Sequence, residues 1–169
     1  MKRIILLFVV FLLCLTSCSG KYLKRPETDL EFWITENVED CDFSSYQEKF
    51  GIMGGREYYG KGYVPTLDEN GQQKDPEHCV IYTVTSYPDY SSGKSHITRI
   101  SITDPAVSVY GVDLTSSADE IKTALKEAGF SVTEKNGNVS GEKGRFRISF
   151  SSDNIYIHAD VSNMFGIQF

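Results

Sequence analysis

No stretch of this 169-residue chain reaches the roughly 20 consecutive apolar residues that a membrane-spanning helix needs. The longest apolar run, Ile4 to Leu13, is soon followed by Thr16, Ser17, Ser19, Gly20 and Lys21, which argues against a retained single span. Positive charge is also scarce, with 17 lysines and arginines against 23 aspartates and glutamates. Residues 1 to 17 hold two of the basic residues and none of the acids, so without them the balance is 15 against 23, or −8. That excess argues against nucleic acid as a partner and against broad docking on anionic lipid. Motifs of nucleophilic catalysis are missing: the chain has no Gly-x-Ser-x-Gly elbow and no Ser-x-x-Lys with its companion motifs. Nor does it have the eight long alternating segments of an outer-membrane barrel, so the terminal Phe169 does not make it one.

The chain does have a marked N-terminus. Lys2 and Arg3 precede the apolar run, and Leu15-Thr16-Ser17 are followed by Cys18, the layout of a secretory signal with small residues before a cleavage point. Leu15-Thr16-Ser17-Cys18 resembles the lipobox of bacterial lipoproteins. The resemblance implies a thioether-linked diacylglycerol on Cys18, which becomes the first mature residue, and an anchored protein on the outer face of a cell membrane. The whole sequence is similar to uncharacterised small membrane lipoproteins of Gram-positive bacteria, which implies a location and no activity. The expected organisation is a signal peptide over 1–17, a membrane-proximal tether over 18–30 and a single extracytoplasmic domain over 31–169. Lys21, Lys24 and Arg25 make the tether locally basic, suited to phospholipid head groups or simply to solvent. The 152 residues left after position 17 (169 − 17) are a usual length for one domain that needs neither metal nor disulfide to fold.

Of four cysteines, Cys14 leaves with the signal and Cys18 takes the lipid, so Cys41 and Cys79 remain. Outside the cytoplasm they invite a disulfide, which on the chain-entropy model stabilises by about 4 kcal/mol; two unpaired thiols are the alternative.

Phe43, Tyr46 and Phe50 recur at three- and four-residue spacing between Asp42 and Gly51, which predicts a short amphipathic helix. Asn70-Gly71 predicts a tight turn. Cys79–Tyr87 and His96–Thr103 read as two antiparallel strands, the second with Ile97, Arg99 and Ser101 on one side and Thr98, Ile100 and Ile102 on the other. Ser117 with Glu120 forms a capping box, Ile121, Ala124, Leu125 and Ala128 make one stripe, and Gly129-Phe130 fits a helix stop. Arg145–Phe150 and Ile155–Val161 alternate around a turn at Ser152-Asp153-Asn154, and Phe165, Ile167 and Phe169 suggest a last short strand. The fold class is α+β, a mainly antiparallel sheet with one or two helices on one face. Gly111 to Ser117 leading into a helix that stops at Gly129-Phe130 resembles the helix-plus-sheet modules of small bacterial lipoproteins and lipoprotein-like binding proteins.

Candidate chemistry is sparse. Aligning Gly71 with the turn glycine of an EF-hand loop places Asp68, Asn70 and Glu77 at ligand positions, but Thr66 stands where the first aspartate belongs, Pro65 precedes it and Gln73 replaces an apolar residue. Cys41, His78 and Cys79 with His96 or His158 lack the ligand spacing of a structural zinc site. No metal or other cofactor is therefore expected. Tyr58, Tyr59 and Tyr63 with Trp33 and Arg56 are the candidate contact surface for a protein or a cell-wall glycan, with core packing of the rings as the alternative. His158, between Tyr156 and Asp160 on one face of a strand, is the candidate acid-base residue of a rival reading, a cell-envelope hydrolase. The preferred expectation is a lipid-anchored extracytoplasmic binding or accessory module.

Overall fold

Strands with alternating apolar residues, such as Phe146–Phe150 and Ile155–Ala159, must bury one face, and here they belong to one eight-stranded antiparallel sheet among the described residues. The computed structural model describes residues 23–50, 56–60, 69–71, 78–84 and 95–160. The strands are β1 (Gln47–Phe50), β2 (Arg56–Tyr59), β3 (Val80–Val84), β4 (Ile97–Ile102), β5 (Ser131–Lys135), β6 (Asn138–Lys143), β7 (Phe146–Phe150) and β8 (Ile155–Ala159); helix α1 (Ala118–Glu127) stands between β4 and β5. The α+β class is that expected. Strand order is β1-β2-β3-β4-β8-β7-β6-β5, so two four-stranded meanders meet at an antiparallel β4–β8 seam and the order has a two-fold symmetry about it.

One face of the sheet carries the core. Tyr58, Tyr82, Ile100, Ile157 and Ile148 form one buried row across it, ending at Gly141 on β6. Over β5 and β6 lies α1, held by the expected capping box and by a Schellman stop in which the Phe130 and Gly129 amides donate to the Leu125 and Lys126 carbonyls. Leu125 and Phe130 close directly over Gly141, where an added Cβ would come within 3.1 Å of Phe130 Cβ. Over β2 and β3 the cover is aromatic: Phe43 stacks on Tyr58 at 4.0 Å, and Phe32 and Tyr46 close edge-on around Tyr82.

Several expectations are corrected. Residues 42–51 form a turn and β1, not a helix. The Tyr46 amide donates to the Phe43 carbonyl and the Ser44 amide to Asp42 Oδ1, so the three-residue aromatic spacing is that of a single turn. Ile97 is fully buried, not on the Arg99 side, because a bulge sets Val84 opposite Ile97 but Thr83 opposite Arg99, making Thr98 the extra residue. β5 and β6 were not expected at all. The described part of the proposed 18–30 tether packs on the domain: Leu23 and Leu30 are buried, Trp33 Nε1 donates to the Leu23 carbonyl, and Thr28 bridges to Val109. Arg25 is engaged as well, its guanidinium on the Leu30 and Glu31 carbonyls and on Glu36. The signal peptide, Cys18, the near-EF-hand positions Thr66, Asp68, Gln73 and Glu77, and the strand expected at 165–169 lie outside the described residues.

Candidate functional site

Residues directly opposite in an antiparallel sheet share a face, so register places side chains that sequence spacing cannot. On the face away from the core two rows run across the strands. The first is Lys49, Glu57, Thr83, Arg99, His158, Arg147 and Glu142; the second is Gln47, Tyr59, Ile81, Ser101, Tyr156, Ser149 and Ser140. None of the described elements packs over these rows. At their middle, across the seam, Arg99 and Arg147 flank His158 from β4 and β7.

The three differ in their partners. Arg147 is already neutralised, with Nη2 at 2.7 Å and Nε at 2.9 Å from Glu142 Oε1. Arg99 is exposed, its guanidinium 5.4 Å from the Tyr156 ring centre, and it forms no ion pair among the described residues. His158 is half-buried, its ring 6.2 Å from that of Tyr156 and nearly parallel to it, while Nδ1 is buried without a hydrogen-bond partner. Burial, foremost, then the charge of Arg99 push the imidazole below its ordinary value; Asp160 opposes this and Arg147 reinforces it. The folded protein therefore favours the neutral ring. Asn154 fixes the seam beside them, its Oδ1 accepting from Ser101 Oγ and from the Ile102 amide.

The expected aromatic contact surface is not assembled. Trp33 is only 2% exposed, its ring edge-on to Tyr110, and Tyr58 is 7% exposed under Phe43. Tyr58 serves the core because its position on β2 faces it, and Trp33, in the segment before β1, packs into the same core. Arg56 is exposed beside Glu48, and Tyr63 lies outside the described residues. Tyr59 does reach the open face, where its hydroxyl donates to Glu57 and Lys49 lies over its ring.

Nor are Cys41 and Cys79 bonded; both are free thiols. Cys41 Sγ donates to the carbonyl of Asn37, which bridges to His96 at the start of β4, whereas the Cys79 amide donates to Thr103 beyond its end. Those anchors are about 23 Å apart along the strand, and a disulfide requires Cα atoms within about 7 Å.

His158 also lacks the surroundings of a hydrolytic base. Asp160 acts on the ring through charge, and among the described residues no hydroxyl or carboxylate hydrogen-bonds to it, whereas a catalytic triad orients its imidazole that way. Among the described residues no three of His, Cys, Asp and Glu converge on a metal position. Two clefts lie beside α1. One of about 380 Å³ runs along Tyr110, Asp119, Thr123 and Glu127, and one of about 250 Å³ is lined by Asp113, Ser116, Asn136, Asn138 and Ser151. Asp113 is spoken for in the second, accepting from Thr115 and Ser116.

The row Arg99, His158 and Arg147 could have been suspected from the polar positions of three alternating strands, but its assembly needed the β4–β8 register. No protein-family model, no curated protein and no solved structure matches this chain.

Proposed function

We propose that this chain is a lipid-anchored binding module on the outer face of a cell membrane, tethered through Cys18 and presenting the open face of its sheet to a partner. The observation that carries the reading is the alignment of Arg99, His158 and Arg147 on a face that none of the described elements covers. Two guanidiniums on either side of one imidazole disfavour its protonated form and add nothing to the core, which lies on the other face of the sheet. A surface kept for contact has a reason to align them. No hydroxyl or carboxylate among the described residues orients the His158 ring as a catalytic triad does, which favours binding over hydrolysis. Location and anchor rest on Leu15-Thr16-Ser17-Cys18.

Two measurements test this. Intact mass of the protein from its native membrane, beside Cys18→Ala, is expected to show a mature chain starting at Cys18 and carrying diacylglycerol; an unprocessed or unlipidated chain overturns the anchor. A photo-crosslinking residue at Ser149, on the open face, is expected to capture a partner in intact cells that the same residue at Thr123, on α1, does not. Equal capture from both positions, or none from either, overturns the binding face.

A further inference from the structure

Given that reading of the open face, its central charges select a class of ligand. At the seam Arg147 is paired with Glu142 and burial favours the neutral form of His158, so Arg99 is the positive charge there with no ion-pair partner among the described residues. One charge matches a monoanion better than a doubly charged phosphate. A guanidinium is planar and presents paired donors at the spacing of carboxylate oxygens. The Tyr156 ring beneath holds that fork in place, and for the same reason the ring face is not free to stack a sugar. Around it Ile81, Tyr59, Ser101 and Ser149 offer mixed apolar and hydroxyl contact across neighbouring strands. Tyrosine and arginine in such a setting are residues that dominate protein interfaces.

We propose that Arg99, at the β4–β8 seam, is the anchor for an aspartate or glutamate carboxylate of an acidic protein partner that lies across the open face of the sheet. Tyr156 and His158 flank the seat, and the phenol hydroxyl is able to hydrogen-bond the same carboxylate or the backbone that carries it. The protein's own negative charge keeps anionic polymers away in general, which makes the cationic seam selective by position.

The test measures binding of hexaglutamate to the mature lipidated protein in neutral-lipid nanodiscs, with inorganic phosphate and uncharged chitohexaose as competing chemistries. Hexaglutamate is expected to bind, and neither phosphate nor chitohexaose is expected to displace it. Arg99→Gln is expected to weaken it about tenfold, the worth of one charge-assisted pair, with Arg99→Lys between, and Lys126→Gln on α1 is expected to leave it unchanged. Unchanged thermal melting of Arg99→Gln separates lost contact from lost fold. Equal binding by wild type and Arg99→Gln, or no binding of hexaglutamate, overturns the carboxylate seat. If chitohexaose binds in place of hexaglutamate, the carboxylate inference falls while the binding-module reading stands; if Ser149 crosslinking also fails, both fall.

Discussion

Arg99 on β4 and His158 on β8 stand directly opposite one another at the seam of the two meanders, and the arginine's charge opposes protonation of the imidazole. Other charges near the ring are Asp160 on its own strand, which favours the proton, and Arg147 on β7, which disfavours it and is itself paired with Glu142 on β6. The folded value therefore lies below the ordinary 6.5. Unfolded chain then takes up the proton first, so the contribution of His158 to stability is complete above the unfolded value and is lost as pH falls through the lowered folded one. Following the imidazole resonance of His158 against pH by NMR is expected to show a midpoint under 6.5 that rises in Arg99→Gln. A midpoint that does not move in the variant would remove Arg99 as a cause.

Both remaining thiols are expected to be reduced yet slow to react in the folded protein. Burial raises Cys41 to about 11, helped by the charges of Glu36 and Asp40, and burial also raises Cys79. Thiolate is the nucleophile, so alkylation at pH 8 is expected to be slow in buffer and complete in denaturant without added reductant. Resistance to alkylation in denaturant, with a two-dalton mass gain on reduction, would show a Cys41–Cys79 bond after all.

Gly141→Ala is expected to destabilise by about 1 to 3 kcal/mol, the usual range for an overpacked core. The added methyl would lie 3.1 Å from Phe130 Cβ and 3.2 Å from Leu125 Cδ1, two groups fixed by the helix and its stop. Both have little room to retreat. Chemical denaturation reads the loss, and a variant as stable as wild type would mean that α1 does not sit tightly on β6.

Legibility followed the range of the interactions. Helix α1 could be read because its capping box, apolar stripe and Gly129-Phe130 stop are all local. β7 and β8 could be read because every second residue, Phe146, Ile148 and Phe150, then Ile155, Ile157 and Ala159, is apolar and buried. β5 and β6 were missed because Val132 and Val139 are the only bulky apolar residues in them; Asn136-Gly137, with φ of 52° and 80°, was the local signal for their hairpin turn. Residues 42–51 misled because aromatic spacing of three suits a single turn as well as a helix, and pairing of Glu48 with Tyr58 decided for the strand. Trp33 and Tyr58 looked like a surface because composition marks aromatics for either burial or contact, and only packing separates the two. The Arg99–His158–Arg147 row depends on pairing β4 with a strand more than fifty residues away, a long-range choice that no local pattern encodes.

Ser117→Ala tests how much the helix start contributes. Ser117 Oγ accepts from the Glu120 amide, while Glu120 Oε2 accepts from the Ser117 amide at 2.8 Å and from its hydroxyl at 2.7 Å. Those contacts hold the Glu120 carboxyl below its ordinary 4.5, the Ser117 hydroxyl foremost. Alanine keeps the amide but removes the hydroxyl, so the Glu120 midpoint is expected to rise toward 4.5 while the chain loses about 1 kcal/mol. For a domain of this size that loss lowers the melting temperature by about 2 to 4 °C. The sign with pH follows: a depressed carboxyl stabilises above its unfolded value, and this is lost as pH falls through the folded one, so wild type and Ser117→Ala are expected to converge in acid. A stability gap that stays constant from pH 7 to pH 3 would mean that the serine acts on the helix without Glu120.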